Sequence, residues 1–589
     1  MDTEQPAKSV AVIGSGLAGL TAAHFLQRGG RRVTLFEQGA AVGMDAASLT
    51  VGGARIDVPL RVFTPAYYPC LTRMYAHLGV ASSAADYSLC VSHAGEPVWS
   101  YTNVHVLGVS VPVPDGLWAA TGAGARRRRV TRDWVRLLYA ALQMLRMPWR
   151  LADRRVAQLT IAQYLAAQRY SPDFAEHVLV PFVAAVMTCS LRAAAEYPAN
   201  AVLDFVGRVA FGAGVQRAAG GVQEVCRALA EDLRDVRLGT AVVAVEPGSD
   251  DGGCCHVVVE AADGSTQRMA FDAVVLATQA DVAARLLSAA RSDGLLDDML
   301  RALRAVPYED ARDARVYTHT DASVMPADRA HWHAVNLATH ATGCRVTSTH
   351  WLSRVDGAAA GSCGSGHVFQ TVDPADHRQL RGVVGATHFR RALVTVESQA
   401  LLDTLHAAQG RRGVWVAGTY AAPGLPLLEG CVRSALDVVR ALRPGPLPFA
   451  VPPLLSHAGA PGAAEVGLAA GMRRGGVVAA HYACCGAAVA AGRAPEPARL
   501  AAAVRKRRPR AVLAWAAAAA RWALWTLGLP ALALLLAVAD LVLCSVLGTH
   551  VAARLQDAAL DALVGLAAAA VAVLGVATAA PSRVRAFLG

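Results

Sequence analysis

The chain runs to 589 residues, 54% of them apolar and 17% charged, with a formal net charge of +11. That length is too great for one ordinary core, so two closely packed domains with additions are expected, and the apolar excess points to membrane contact. Residues 501–589 hold nine Arg or Lys against three Asp or Glu, so +6 of the excess lies in the tail; without an aromatic-interleaved basic patch or a nucleic-acid motif, this argues for a membrane surface and against nucleic acid.

The first element is SVAVIGSG, in which Val10 to Ile13 have the continuous apolar character of a buried parallel strand. The stretch VAVIGSGLAGLTAAHFLQRGGRRVTLFEQG carries a GxGxxG motif in full strand–turn–helix–strand context. Gly14 makes the tight turn, Gly16 lets backbone approach a pyrophosphate, and Gly19 allows close helix–strand packing. Ser15, Leu17 and Ala18 complete the loop and the helix start, whose N–H groups would face phosphates. The second strand, RVTLFE, ends at Glu37, next to Gln38. Its carboxylate can accept from both ribose hydroxyls and disfavours a 2′-phosphate, which leaves FAD or NAD.

GMDAAS at 43–48 is less regular. Gly43 keeps a close backbone approach, Met44 and Asp45 offer no basic phosphate contact, and Ser48 or a neighbouring N–H is expected to compensate. Further on, Arg126–Arg129 reads as a solvated loop, with lipid head groups as the sharper alternative. DWVRLLYAALQML places Trp134, Leu137, Leu138, Ala141, Leu142 and Leu145 at helical spacing, chiefly a core stripe. The section 130–205 as a whole reads helical.

Several separated segments resemble the flavin-containing amine oxidase and phytoene desaturase superfamily over about residues 8–442. They are VGGARIDVPLRVFTPAYYPCLTRMYAHLGV, in which Asp57 closes a strand, AAGGVQEVCRALAEDL, VRLGTAVVAVEP with FDAVVLATQ, and GVWVAGTYAAPGLPLLEGCVRSALDVVRAL. THTDASVMPADRAHW resembles the substrate-domain segment of uncharacterised predicted NAD/FAD-binding proteins of that superfamily. The resemblance implies FAD, with the Val245 backbone near adenine and Ala277–Thr278 on the pyrophosphate side. A strand stopping at Gly418 and a helix starting near Glu429–Gly430, with Cys431 in its first turn, would face the flavin edge. Such a helix N-terminus would stabilise the anion formed on reduction. Cys431 could tether a flavin through sulfur, but its place in the helix start argues for packing.

The implied architecture is α/β, a Rossmann-type FAD-binding domain at 8–442 with an interleaved α+β substrate domain at roughly 90–205 and 290–385. An Ala/Gly/Pro-rich linker is expected at 443–503. The tail, 504–589, opens on RKRRPR and continues into apolar blocks at about 522–547 and 562–580, each long enough to span a hydrocarbon core of ~30 Å. Basic residues flank the pair and only Arg554 lies between, so a transmembrane hairpin with both ends in the cytosol is expected.

Twelve cysteines without a CxxC suit buried free thiols in a reducing compartment, and no metal site is apparent. With no secretory leader recognised, the endoplasmic reticulum is the default membrane. Lys8 and Lys506 are the only lysines. Amine oxidases of the superfamily usually hold a lysine at the flavin, so the reading favours hydride removal from a lipophilic substrate, with amine oxidation or a non-catalytic scaffold as alternatives. Candidate polar groups for the chemistry are Arg61, His319, Asp321 and His350.

Overall fold

The computed structural model describes residues 8–452 apart from 44–47, 52–53, 107–108, 116–123, 147–153, 250–252, 261–264, 289–295, 310–313, 341–342 and 356–366. Met44 and Asp45, the basic segment at 505–510 and both apolar tail blocks lie outside the described residues, as does the predicted linker beyond residue 452. Among the described residues no helix is long and apolar enough to cross a membrane.

The strand Ser9–Ile13 is buried along its whole length because it is the centre of a five-stranded parallel sheet. Its order is Asp235–Arg237, Arg32–Phe36, Ser9–Ile13, Ala273–Leu276 and Val414–Val416. The helix Leu17–Arg28 leaves the central strand through the glycine turn and packs against the last described helix, Leu428–Leu442. A three-stranded antiparallel sheet, Ala241–Glu246, Cys255–Glu260 and Thr266–Phe271, is inserted before the fourth strand of that order.

A second, eight-stranded sheet takes its strands from two distant parts of the chain, 89–114 and 314–389. Within it, Val335–Thr339 runs parallel to Leu89–His93 and joins the two parts. Its other pairings are antiparallel. Between the two parts run helices, chief among them Ala125–Arg146 and Ala199–Ala210, which pack on one another.

Trp134, Leu137, Leu138 and Ala141 are buried in that core, while Leu142 and Leu145 are only half-buried. Arg126–Arg129 is helical rather than a loop. It forms the first turn of Ala125–Arg146, where Arg126 and Arg129 pair with Asp173 at 2.8 and 3.0 Å. The first residues of the predicted linker are docked, with the Phe449 ring 5.6 Å from that of Phe25 and 5.7 Å from His77.

Candidate active site

Gly14 sits at φ +96°, and a Cβ there would come within 2.9 Å of the Ala277 carbonyl oxygen. At Gly19 a Cβ would stand 1.8 Å from the Gly14 oxygen, so the helix can lie this close to the turn only with glycine. Gly16 is different. A Cβ would meet nothing within 4 Å, which leaves open space before the first turn of a helix with no side-chain cap. A pyrophosphate fits that combination of exposed backbone, free N–H groups and positive helix end.

The open space belongs to a trench of about 380 Å³. Gly14, Ser15, Gly16, Leu17, Ala18, Glu37, Gln38, Ala277, Thr278, Gly418 and Cys431 all line it, as the sequence led us to expect of cofactor-binding residues. Glu37 is already engaged. Its Oε2 accepts from Ser15 N at 2.9 Å and Ser15 Oγ at 2.6 Å, and its Oε1 accepts from Gly39 N at 2.7 Å. One lone pair on Oε1 is left to meet a ribose hydroxyl.

Besides Gly19, five of the predicted cofactor residues do not line the trench. Val245 is buried in its strand opposite Val257, and the trench is lined there by Thr240 and Val242. Ser48 Oγ accepts from Val58 N at 3.4 Å and takes no part in the lining, so it steadies the neighbouring strand end. Glu429 is turned away, its carboxylate accepting at 3.0 Å from the N–H groups of Cys70 and Leu71, the first turn of the helix Pro69–Leu78. Gly430 lets the first turn of its own helix, Leu428–Leu442, approach Thr419, whose carbonyl oxygen would lie 3.0 Å from a Cβ. Gly43, at φ +76°, donates its N–H to Ser15 Oγ at 3.0 Å, a link between the two glycine segments that no sequence pattern announces.

Beyond Gly16, Leu17, Gln279, Thr419 and Cys431 the trench continues into a second cavity of about 400 Å³. Phe63, Phe182, Phe205, Val209 and Phe389 give it apolar walls, with Arg61, Arg391, Tyr68 and His350 as polar groups. Burial pushes the Cys431 thiol at the junction up to about 11, against the pull of Arg61 and Arg391, which leaves it an unreactive thiol.

The strand Phe369–Val372 separates the two histidine candidates. His319 stands opposite Phe369, whereas His350 stands opposite Gln370. Successive strand residues face opposite sides, so only one imidazole can face the cavity, and it is His350, beside Val372. Burial lowers its pKa to about 4, and its Nδ1 has no hydrogen-bond partner.

His319 lies on the far side, fully buried. Asp321 N donates to its Nδ1 at 3.1 Å, which puts the ring proton on Nε2, 2.8 Å from Thr371 Oγ1. Asp321 itself accepts from Ser323 N and Arg381 N, ending the strand in a turn. His319 and Asp321 therefore form a structural unit away from the cavity, in place of the catalytic role expected of them.

Gln370 also places Arg61. Its Nε2 donates to the Asp57 carbonyl at 3.0 Å and its Oε1 accepts Leu60 N at 2.6 Å, which holds the 57–60 segment on the cavity face. Asp57 Oδ1 accepts Val222 N at 3.0 Å, at the start of the glycine-led helix Gly221–Ala230.

A parallel sheet with a phosphate-ready glycine turn, beside an apolar second chamber, defines a dinucleotide-binding protein. Residues 17–393 match the family model described as flavin containing amine oxidoreductase, and the chain belongs to that family. That family implies FAD as the cofactor of the trench. Over 312 residues it is 30% identical to a phytoene dehydrogenase of Streptomyces griseus, covering 48% of this chain and 56% of that protein. The chain thus spans just over half the length of that curated relative.

Two solved structures share the fold, each at a TM-score of 0.50 over 74% of this chain and 99% of theirs. One is a CLA-producing fatty acid isomerase from P. acnes at 15% identity, the other a cyclohexylamine oxidase from Brevibacterium oxydans IH-35A at 14%. At these identities they speak for the fold alone.

Proposed function

We propose that the chain removes hydride from carbon in a lipophilic, lipid- or isoprenoid-like substrate, in a desaturase- or oxidase-type reaction. The observation that carries this is the apolar second chamber, continuous with the trench. The phytoene dehydrogenase relative supports the same substrate class.

Bound FAD would supply the two-electron acceptor, held by the Gly14–Gly19 turn and Glu37. The protein's own part is positioning. Phe182, Phe205 and Val209 would exclude water around the substrate, and neutral His350 would accept a hydrogen bond through Nδ1. A histidine held near 4 is a weak base, which suits hydride loss better than removal of a proton from an ammonium. Lys8 precedes the central strand, at the end remote from the glycine turn, so it is no candidate for a flavin-side lysine.

The tail is proposed to anchor the chain as a transmembrane hairpin, with the catalytic part on the cytosolic side of the endoplasmic reticulum membrane. Fractionation tests this part. The full chain should need detergent and a chain lacking 504–589 should not; a full chain soluble without detergent would sink the anchor. Anaerobic reduction of the bound flavin tests the substrate class, with lipid extracts expected to bleach it and simple amines not.

A further inference from the structure

Three arginines, Arg61, Arg390 and Arg391, line the apolar chamber. Arg61 Nε is shielded from solvent and has no hydrogen-bond partner. Arg391 spends its Nη1 on the Val186 carbonyl at 2.8 Å. Among the described residues neither Arg61 nor Arg391 is seen in an ion pair, whereas Arg390 is neutralised by pairing with Asp281. Two cations in an apolar chamber repel each other and have lost much of their hydration. Burial and Arg391 accordingly draw the Arg61 guanidinium down to about 10, while Asp57 pulls the other way. Tyr68, with its hydroxyl kept protonated by burial, lines the same wall within the field of both arginines.

We propose that Arg61 and Arg391 bind the anionic head group, a carboxylate or a phosphate, of the lipophilic substrate, with Tyr68 beside it and the apolar tail among Phe182, Phe205 and Val209. This deepens the functional reading above and rests on it. An anion between the guanidiniums relieves their repulsion and gives the shielded Nε an acceptor, and planar guanidinium forks suit both oxyanions. An ammonium substrate would meet two like charges there.

The test is titration of the FAD-loaded full chain with matched twelve-carbon probes below their micellar concentrations, read by perturbation of the flavin spectrum. Dodecanoate or dodecyl phosphate should bind at least tenfold more tightly than 1-dodecanol and dodecylamine, and the preference between those two identifies the head group. Arg61→Gln and Arg391→Gln should each weaken the anionic probe at least tenfold while leaving dodecanol binding and FAD content unchanged. Arg61→Lys and Arg391→Lys should restore part of the loss. Equal affinity across head groups, or tighter dodecylamine, overturns the proposal. So does loss of FAD from both glutamine variants, which would assign the arginines to the cofactor. Butyrate binding as tightly as dodecanoate would support the anion site and remove the lipophilic reading.

Discussion

Ser15 Oγ donates to Glu37 Oε2 at 2.6 Å and accepts the Gly43 N–H at 3.0 Å, so one hydroxyl ties the glycine turn to the end of the second strand and to the segment beyond it. GMDAAS offers no basic phosphate contact at Met44 or Asp45, and this bond holds its first residue, Gly43, to the glycine turn. Ser15→Ala removes both contacts and leaves the Glu37 carboxylate held only by the Ser15 and Gly39 N–H groups. FAD retention should fall about tenfold, about 1.4 kcal/mol, in line with loss of one or two bonds around a charged acceptor. Equilibrium dialysis of FAD against the variant measures it.

The glycines of the turn separate stability from cofactor binding. Gly19→Ala pushes a methyl into the Gly14 carbonyl and should destabilise the fold by about 3 kcal/mol or more. Gly16→Ala has free space around its new methyl. Its apoprotein should therefore melt within about 0.5 kcal/mol of the parent's stability, yet hold FAD poorly because the methyl occupies the phosphate approach. Thermal melts of both apoproteins, paired with flavin content, distinguish the two effects.

His319 should leave a mark on stability against pH. Burial lowers its pKa to about 4 from an ordinary 6.5, with Asp321 opposing. The unfolded chain takes up a proton below 6.5 and the folded chain does not until about 4. Stability is therefore fully present above 6.5 and falls as pH drops through that window, by about 3 kcal/mol in total from this group. His319→Gln should flatten that part of the profile in denaturant titrations at successive pH values.

Glu429 couples two parts of the flavoprotein core, since its carboxylate holds the first turn of Pro69–Leu78 from the start of Leu428–Leu442. Glu429→Ala leaves the Cys70 and Leu71 N–H groups without their acceptor. It should cost about 2 kcal/mol, seen as a lower urea midpoint. Flavin affinity should change less than in Ser15→Ala.

Those features of the fold that rest on local signals were legible in the sequence. The glycine turn, Glu37, Ala277–Thr278 and the late helix start are written in short contiguous patterns, and the structure sets them together around one trench. The segments at 89–114 and 314–389 form one sheet, which follows from pairing that no local pattern reveals.

The second chamber was legible only in fragments. Whether His319 or His350 faces it depends on their register against Phe369–Val372, a one-residue difference invisible without the pairing. Arg391 lies in no sequence motif; it matters only because Gln370 brings Arg61 to the same wall. Ser48 follows Gly43 closely in sequence, but its hydroxyl serves the adjoining strand end.

The central claim is that a flavin held in the trench takes electrons from a lipophilic molecule in the chamber beside it. The most direct measurement is anaerobic mixing of the purified, FAD-loaded full chain with fractionated lipids and, separately, with a panel of amines, while following flavin absorbance. The account predicts bleaching by a lipid fraction and none by amines. Bleaching by amines alone, or a chain that neither carries nor takes up FAD, would contradict it.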